Sequence, residues 1–142
     1  MTSRSFIDTN VLVYAEACDA PYKQRSALDL LQRLYEQGLG VVSTQILQEY
    51  CNVALKKLKL PAQYVRSQLD FYEQFEVVQV TSTIISAGLG LHQTRSLAFF
   101  DAIVLASAHA AGCSVILNED MNVGEVVNGV RISNPFAAIG PT

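Results

Sequence analysis

The alternation of short apolar runs with longer amphipathic segments is the feature that most constrains the fold of this chain. The runs that predict β-strands are residues 5–7, "GVVS", "EVVQV", "SVIL" and "VRIS". The segments between them carry apolar residues at helical spacing, and Pro21 and Gly38 mark the start and the end of the second one. Strands that alternate with helices favour an α/β architecture with a mostly parallel sheet.

Two of the predicted helices begin beside residues that can cap a first turn. We expect Asn10 to cap a helix over 11–18, and Thr44 to cap a helix over "TQILQEYCNVALKKL". The other predicted helices are "YKQRSALDLLQRLYEQ", "AQYVRSQLDFYEQF", "TSTIISAGLGLHQTRS" and "FDAIVLASAHAAG". Because 142 residues suit one hydrophobic core and no repeat or linker interrupts them, we expect a single domain over residues 1–142.

Composition limits the partners that the protein can attract. Half of the residues are hydrophobic, 16% are charged and the net charge is −3, so nucleic acid would have to meet local lysines or bound cations. Cys18, Cys51 and Cys113 form no CxxC pair, which predicts neither a zinc site nor disulfides and favours a reducing, cytoplasmic location. The apolar run 97–117 has membrane length, but Asp101 lies inside it, which argues against a transmembrane helix and a membrane partner.

Four carboxylates occupy positions that a parallel sheet would bring to one edge. Asp8 ends the first strand, and Asp120 follows the "SVIL" strand. Asp101 begins the helix that precedes that strand, and Glu49 lies about one and a half turns into the helix after "GVVS". Helical side chains lean toward the helix N-terminus, so Glu49 would point back to the carboxyl ends of the strands, where ligands of such sheets bind.

Each of these acids also has a purely structural interpretation. Asp8 could end a strand, and Asp120 could belong to a turn. Asp101 could favour a helix N-terminus, and Glu49 could be a solvated helix residue. However, Glu49 and Asp101 have no lysine or arginine three or four residues away, and Asp120 has none nearer than Arg131. Unpaired carboxylates near a core need neutralisation, which a divalent cation could provide.

The type of side chain indicates which cation this would be. Carboxylates without nearby histidines favour a hard ion, Mg²⁺ or Mn²⁺, over zinc. Two such ions can lie ~3.5–4 Å apart and activate water for in-line attack on a phosphodiester. The cations would also supply the positive field that a net charge of −3 lacks.

Four motifs give the chain a resemblance to a known family. They are "FIDTNVLVYA", "VVSTQILQEYCNV", "LAFFDAIVLASAHAAGC" and "VILNEDMNVG". In this order they resemble the PIN-domain family over nearly the whole chain, and most of all its VapC-like toxin ribonucleases of type II toxin–antitoxin pairs. The resemblance implies a three-layer α/β/α fold and endonucleolytic cleavage of RNA that depends on Mg²⁺ or Mn²⁺. It also implies that Asp8 and Asp101 are the main metal ligands, with Glu49 and Asp120 completing the acidic pocket.

The resemblance implies supporting roles for three neighbours of these acids. Asn10 would orient the first acid or bind substrate. Asn118 stands where the family often has a small hydroxyl residue, and its amide can still form hydrogen bonds. Glu119 could share or replace the role of the acid that follows it.

The family resemblance further implies protein partners. Toxins of this group commonly form homodimers and are silenced by an antitoxin whose tail enters the active-site groove.

Lys56 and Lys57 could contact RNA phosphate or form a solvated helix end. Arg95 could contact phosphate or balance the acidic pocket.

Two classes other than a metal-dependent ribonuclease stay open at this point. A PIN-like module could hold RNA or a protein without cutting it, although all four acids are present. A different α/β enzyme could use Asp8 for phosphoryl transfer. A nucleophilic-Asp phosphatase, however, would usually want a second acid where Asn10 stands, and no lysine follows the late strand to hold phosphate.

Overall fold

The computed structural model describes residues 3–137 of the chain. Its strands are β1 (Ser5–Ile7), β2 (Gly40–Ser43), β3 (Glu76–Val78), β4 (Val115–Leu117), β5 (Val126–Val127) and β6 (Val130–Ser133). Its helices are α1 (Thr9–Tyr14), α2 (Pro21–Gln37), α3 (Thr44–Lys56), α4 (Ala62–Tyr72), α5 (Ser82–Arg95) and α6 (Phe99–Ala110). None of these described helices is long and apolar enough to cross a membrane. Two helices separate each of the first three strands from the next, which agrees with the predicted alternation.

The described strands form one sheet in the order β3-β2-β1-β4-β6-β5. Phe6 of β1 is in register with Val41 of β2 and with Ile116 of β4, and both pairings are parallel. Among the described strands only β5 runs antiparallel to its neighbour. The prediction of a mostly parallel α/β sheet is confirmed, and the carboxyl ends of β2, β1 and β4 meet at one edge.

The central strands are covered on both faces. Every residue of β1, β2 and β4 is buried, a pattern that occurs where helices lie on both sides of a parallel sheet. This agrees with the three-layer α/β/α fold. Phe6 and Ile116 belong to the large hydrophobic core, while a smaller cluster of Ile84, Ile103 and Ala106 joins α5 to α6. Because α6 contributes side chains to both clusters, packing on two sides fixes its position.

Both predicted helix caps are wrong. The first helix begins two residues earlier than predicted, so its cap position falls on Asp8, whose side chain makes no capping bond, and Asn10 lies inside the first turn. For α3 the cap is Ser43, whose hydroxyl accepts a hydrogen bond from a first-turn N–H. A cap residue must have extended backbone, as Ser43 does with φ of −125° and ψ of 167°, whereas Thr44 is already helical.

The hairpin that contains β5 is not predicted. Asn128 and Gly129 connect β5 to β6 with φ values of 51° and 80°, the left-handed values of a tight hairpin turn. Val127 pairs with Val130 across this turn. The strand escapes prediction because it is two residues long and shows no alternation of its own.

Candidate active site

The four acids predicted from the sequence lie at the carboxyl edge of the sheet. Asp8 follows β1, Glu49 lies in α3, Asp101 lies in the first turn of α6, and Asp120 lies in the loop after β4. Their charges act on one another, because the other three carboxylates help to raise the pKa of Asp8. These four residues are called the acidic cluster below.

Asp8 is partly buried, and the backbone and Asn118 hold it in place. Its backbone N–H donates to the carbonyl oxygen of Leu117 at 3.1 Å, and Nδ2 of Asn118 donates to its Oδ2 at 2.7 Å. Burial is the main cause that raises the pKa of Asp8 to about 7. The charges of the other three acids add to this rise in pKa, while a hydrogen bond from the backbone of Thr9 opposes it.

The two carboxylate oxygens of Glu49 are bonded to residues of α1 and α3, and Gln45 extends these contacts to α6. The hydroxyl of Thr9 donates to Oε1 at 2.6 Å, and Nε2 of Gln45 donates to Oε2 at 3.2 Å. The same Nε2 lies 3.3 Å from the carbonyl oxygen of Phe100, the residue before Asp101. The orientation of the Glu49 carboxylate is therefore set from α1 and α3, and its contact network reaches the start of α6.

The carboxylates of the acidic cluster have no cationic partner among the described side chains. The salt bridges within residues 3–137 are Arg4–Glu76 and Lys23–Glu119, and neither includes a member of the cluster. Burial raises the pKa of Asp101, and the charges of Glu49 and Asp120 add to that rise. Within residues 3–137, no salt bridge therefore offsets the negative charge of the cluster.

Asn118 takes a central place in the site. It is only 3% exposed, and while its Nδ2 donates to Asp8, its Oδ1 accepts from the backbone N–H groups of Asp120 at 2.7 Å and Met121 at 3.0 Å. Oδ1 also accepts from Nδ2 of Asn10 at 3.1 Å. An amide both donates and accepts, so this residue joins the first acid to the loop that carries the last one.

Asn10 faces the acidic cluster instead of capping a helix. Its Nδ2, besides bonding Asn118, lies 3.4 Å from Oδ2 of Asp120. Its Oδ1 is buried and has no hydrogen-bond partner among the described residues. The structure thus places Asn10 beside Asn118 and Asp120 and leaves a buried acceptor there.

Glu119 forms its hydrogen bonds with residues outside the acidic cluster. Nζ of Lys23 donates to its Oε2 at 2.6 Å, and the hydroxyl of Tyr14 donates to its Oε1 at 2.6 Å. Burial acts to raise the pKa of Glu119, but these two hydrogen bonds outweigh it and lower the pKa overall. Sequence reasoning missed Lys23, because 96 residues separate it from Glu119 and no local spacing connects them.

The structure separates the three basic residues that the sequence proposed for RNA contact. Lys57 lines a cavity of about 330 Å³ together with Asn10 and Asp120. Lys56 and Arg95 are exposed but do not line this cavity. Of the three, Lys57 alone shares a cavity with a member of the acidic cluster.

The chemistry of the site fits a hard divalent cation. Four carboxylates and the unpartnered Oδ1 of Asn10 are oxygen donors of the type that Mg²⁺ and Mn²⁺ prefer. As the side chains lie, no three His, Cys, Asp or Glu residues within 3–137 form a group that could hold a metal ion. A bound cation would offset the mutual repulsion of these carboxylates.

The family of the chain follows from its sequence together with this fold. The family model of the PIN domain matches residues 5–127, which include the whole acidic cluster. The chain belongs to the PIN-domain family. No curated protein matches the chain at a significant level.

Several solved structures share the fold over nearly their full length. A toxin–antitoxin complex from Klebsiella pneumoniae has a TM-score of 0.70 over 92% of this chain and 97% of that chain, at 21% identity. DNA-bound VapBC from Salmonella typhimurium has a TM-score of 0.68 over 94% and 98%, at 15% identity. Mycobacterium tuberculosis VapC20, described as a toxin that cleaves the sarcin–ricin loop, has a TM-score of 0.63 over 83% and 91%, at 20% identity. At these identities the likeness is one of fold, and it confirms the predicted resemblance to VapC-like proteins.

Proposed function

We propose that this protein is an endoribonuclease that hydrolyses RNA phosphodiesters with Mg²⁺ or Mn²⁺ bound by the acidic cluster. The observation that carries the proposal is the gathering of four carboxylates, without a described salt bridge, at the ligand-binding edge of a parallel sheet. Membership of the PIN-domain family and the RNA-cleaving description of VapC20 support RNA as the substrate class.

Each residue of the site has a proposed part in this reaction. A bound cation would activate water and neutralise charge on the phosphate. Asp8 and Asp101 are the proposed main ligands, because burial and neighbouring charges already disfavour their ionised forms and a cation would reverse this. Glu49 and Asp120 complete the pocket. Asn118 keeps the Asp8 carboxylate in one orientation through the bond of 2.7 Å.

Lys57 is the proposed phosphate contact beside the site. Lys57→Met should raise KM for RNA. The slope of log K against log salt should also become less steep by about 0.7, because one phosphate contact is lost. Lys56→Met is the matched control, since Lys56 is the exposed last residue of α3, directly before Lys57, and does not line the cavity. Equal effects of the two substitutions would contradict the assignment.

We further propose that the protein is the toxin of a toxin–antitoxin pair and forms a homodimer. The Klebsiella and Salmonella fold neighbours are described as a toxin–antitoxin complex and as VapBC, which supports an antitoxin partner. Tyr22, Leu28 and Tyr64 on α2 and α4 are 60%, 48% and 42% exposed and offer apolar area for protein contacts. Light scattering tests the dimer, and arrest of bacterial growth on expression, relieved by a protein encoded beside this one, tests the pair.

Cleavage of mixed RNAs by the purified protein tests the enzymatic proposal. We expect cleavage with Mg²⁺ and none with EDTA, and we expect Asp8→Asn and Asp101→Asn each to lower the rate by at least ~100-fold, more than is typical for loss of a residue outside the ligand set. Asp70→Asn, an exposed acid on α4, is the control and should retain full activity. Cleavage that persists in EDTA, or in both variants, would contradict the mechanism.

A second candidate is a PIN-like module that binds RNA or protein without cutting it. One observation favours it, which is that no metal-holding group of side chains is assembled within residues 3–137. Gel-shift and product analysis separate the two functions. Retention of RNA with no cleavage product in either Mg²⁺ or Mn²⁺ would establish the second candidate.

A further inference from the structure

A cluster around Lys23 joins the loop after β4 to two helices. Nζ of Lys23 donates to Oε2 of Glu119 at 2.6 Å and lies 3.3 Å from the hydroxyl of Tyr14, which donates to Oε1 of Glu119. Nζ also lies 4.7 Å from the ring centroid of Tyr14 and 5.9 Å from that of Phe136. Both oxygens of the Glu119 carboxylate are therefore bonded, one to Tyr14 on α1 and the other to Lys23 on α2.

The position of Lys23 is not explained by helix stability. It is the third residue of α2, where the positive end of the helix dipole disfavours a cation. Its side chain is 32% exposed and that of Glu119 is 19% exposed, so the pair is partly shielded from solvent. The bond to Glu119 is the contact that accounts for a lysine at this position.

Glu119 and Asp120 are adjacent acids, and only Asp120 belongs to the acidic cluster. Asp120 is held by the carbonyl oxygen of the Asn118 side chain and lies near Nδ2 of Asn10. The charge of Asp120 helps to raise the pKa of Asp8, while both carboxylate oxygens of Glu119 are bonded to Tyr14 and Lys23. Yet Glu119 and Asp120 line the same cavity, so a released Glu119 would be a further carboxylate beside four that already repel one another.

We propose that Lys23 is a positioning residue that selects which acid of the Glu119–Asp120 pair faces the other three acids of the cluster. By holding Glu119, it keeps that carboxylate away and leaves the place to Asp120. The catalytic part of the test rests on the proposed function, and a structural readout is added that does not.

A double-mutant cycle in the cleavage assay tests this selection. We expect Lys23→Met to lower kcat by ~10-fold or more, as for loss of other residues that support ligands, and Lys23→Arg to retain activity. Glu119→Gln should stay within ~2-fold of wild type. The double variant Lys23→Met with Glu119→Gln should recover to within ~3-fold, because no charge is then left to compete. Arg25→Met is the control, since Arg25 is exposed on the same helix and takes part in no described salt bridge.

Amide hydrogen exchange gives the readout that needs no RNA and no metal. The backbone N–H groups of Asp120 and Met121 donate to Asn118, so their protection reports whether the loop keeps its position. Lys23→Met should speed their exchange by ~10-fold or more, which corresponds to ~1.4 kcal/mol, and the double variant should restore it. If the wild type cleaves no RNA, the proposed function fails while this exchange still decides the role of Lys23.

Three results would overturn the proposal. Loss of activity in Glu119→Gln equal to that in Asp8→Asn would place Glu119 in the reaction itself. An equal rise in KM, without change in kcat, in Lys23→Met and in the double variant would mean that Lys23 contacts RNA directly. Unchanged exchange of the two amides in Lys23→Met would mean that the salt bridge does not position the loop.

Discussion

At the scale of single residues, the titration of Asp8 sets how the metal-free protein responds to pH. Its pKa is about 7 in the folded protein against an ordinary value of 3.8. Between these values the folded state binds a proton that the unfolded state has lost, so stability falls as pH rises from 3.8 to about 7. Above that window this group contributes no further pH dependence.

Asp8→Asn should therefore stabilise the metal-free protein at pH 8. Asparagine has nearly the same shape and carries no charge, so it removes the unfavourable ionisation, worth at most ~4 kcal/mol for a rise of this size. Urea unfolding in EDTA measures the effect, and the gain should shrink toward pH 4. A variant less stable than wild type at pH 8 would contradict the account of Asp8.

Asn118 supports a second prediction at this scale. Asn118→Ala would leave the N–H groups of Asp120 and Met121 without their acceptor and should destabilise the protein by ~1–3 kcal/mol. Asn118→Ser should lose less, because a hydroxyl can still accept a hydrogen bond. Urea unfolding at pH 7 distinguishes them, and equal loss in both variants would show that the side-chain acceptor contributes little.

Residues at the ends of predicted elements could be placed from the sequence, and their partners could not. Asp8 and Asp120 could be placed because strand ends of a parallel sheet share an edge, and Asp101 because the helix that precedes a parallel strand begins at that edge. The bonds of Asn118 to Asp8 and of Lys23 to Glu119 span 110 and 96 residues, and no spacing rule reaches that far.

At the scale of elements, the contact between α5 and α6 positions Asp101 and depends on one glycine. A Cβ on Gly88 would lie 2.5 Å from Cδ1 of Ile103 and 3.3 Å from its Cα. A Cβ on Gly90, two residues later, would meet nothing within 4 Å. The two positions on one helix therefore form a matched pair.

Gly88→Ala should destabilise the protein by ~1–3 kcal/mol, because the added methyl group overpacks the contact with α6. Gly90→Ala should instead stabilise it by up to ~1 kcal/mol, the gain in helix propensity. Thermal unfolding of both variants measures these changes. Stabilisation by both substitutions would show that α5 and α6 can separate freely and would contradict the close contact of Gly88 with Ile103.

Elements with clear periodicity were predictable, and short ones were not. The buried strands β1, β2 and β4 and the longer helices follow from apolar pattern and from Pro21 and Gly38. The helix starts at Asp8 and Ser43 differ from the predicted ones by only one or two residues, a range within which local pattern does not fix a boundary. The two-residue strand β5 depends on its pairing with β6, which local sequence does not encode.

At the scale of the whole molecule, the fold holds four like charges at one edge, so a bound cation should stabilise the entire domain. Mg²⁺ or Mn²⁺ at ~100 times its dissociation constant should add ~2.7 kcal/mol to the free energy of unfolding. Calorimetric melting at pH 8 should show a higher Tm with the ion for wild type and no comparable shift for a variant with both Asp8→Asn and Asp101→Asn. Equal shifts in the two proteins would place the bound ion elsewhere.

The central claim is that the acidic cluster binds a divalent cation, and a crystal soaked in Mn²⁺ tests it most directly. An anomalous difference map identifies manganese without reference to activity. The account predicts a peak coordinated by Asp8 and Asp101, with Glu49 and Asp120 turned toward it. A map at saturating Mn²⁺ with no peak among these four carboxylates would contradict it.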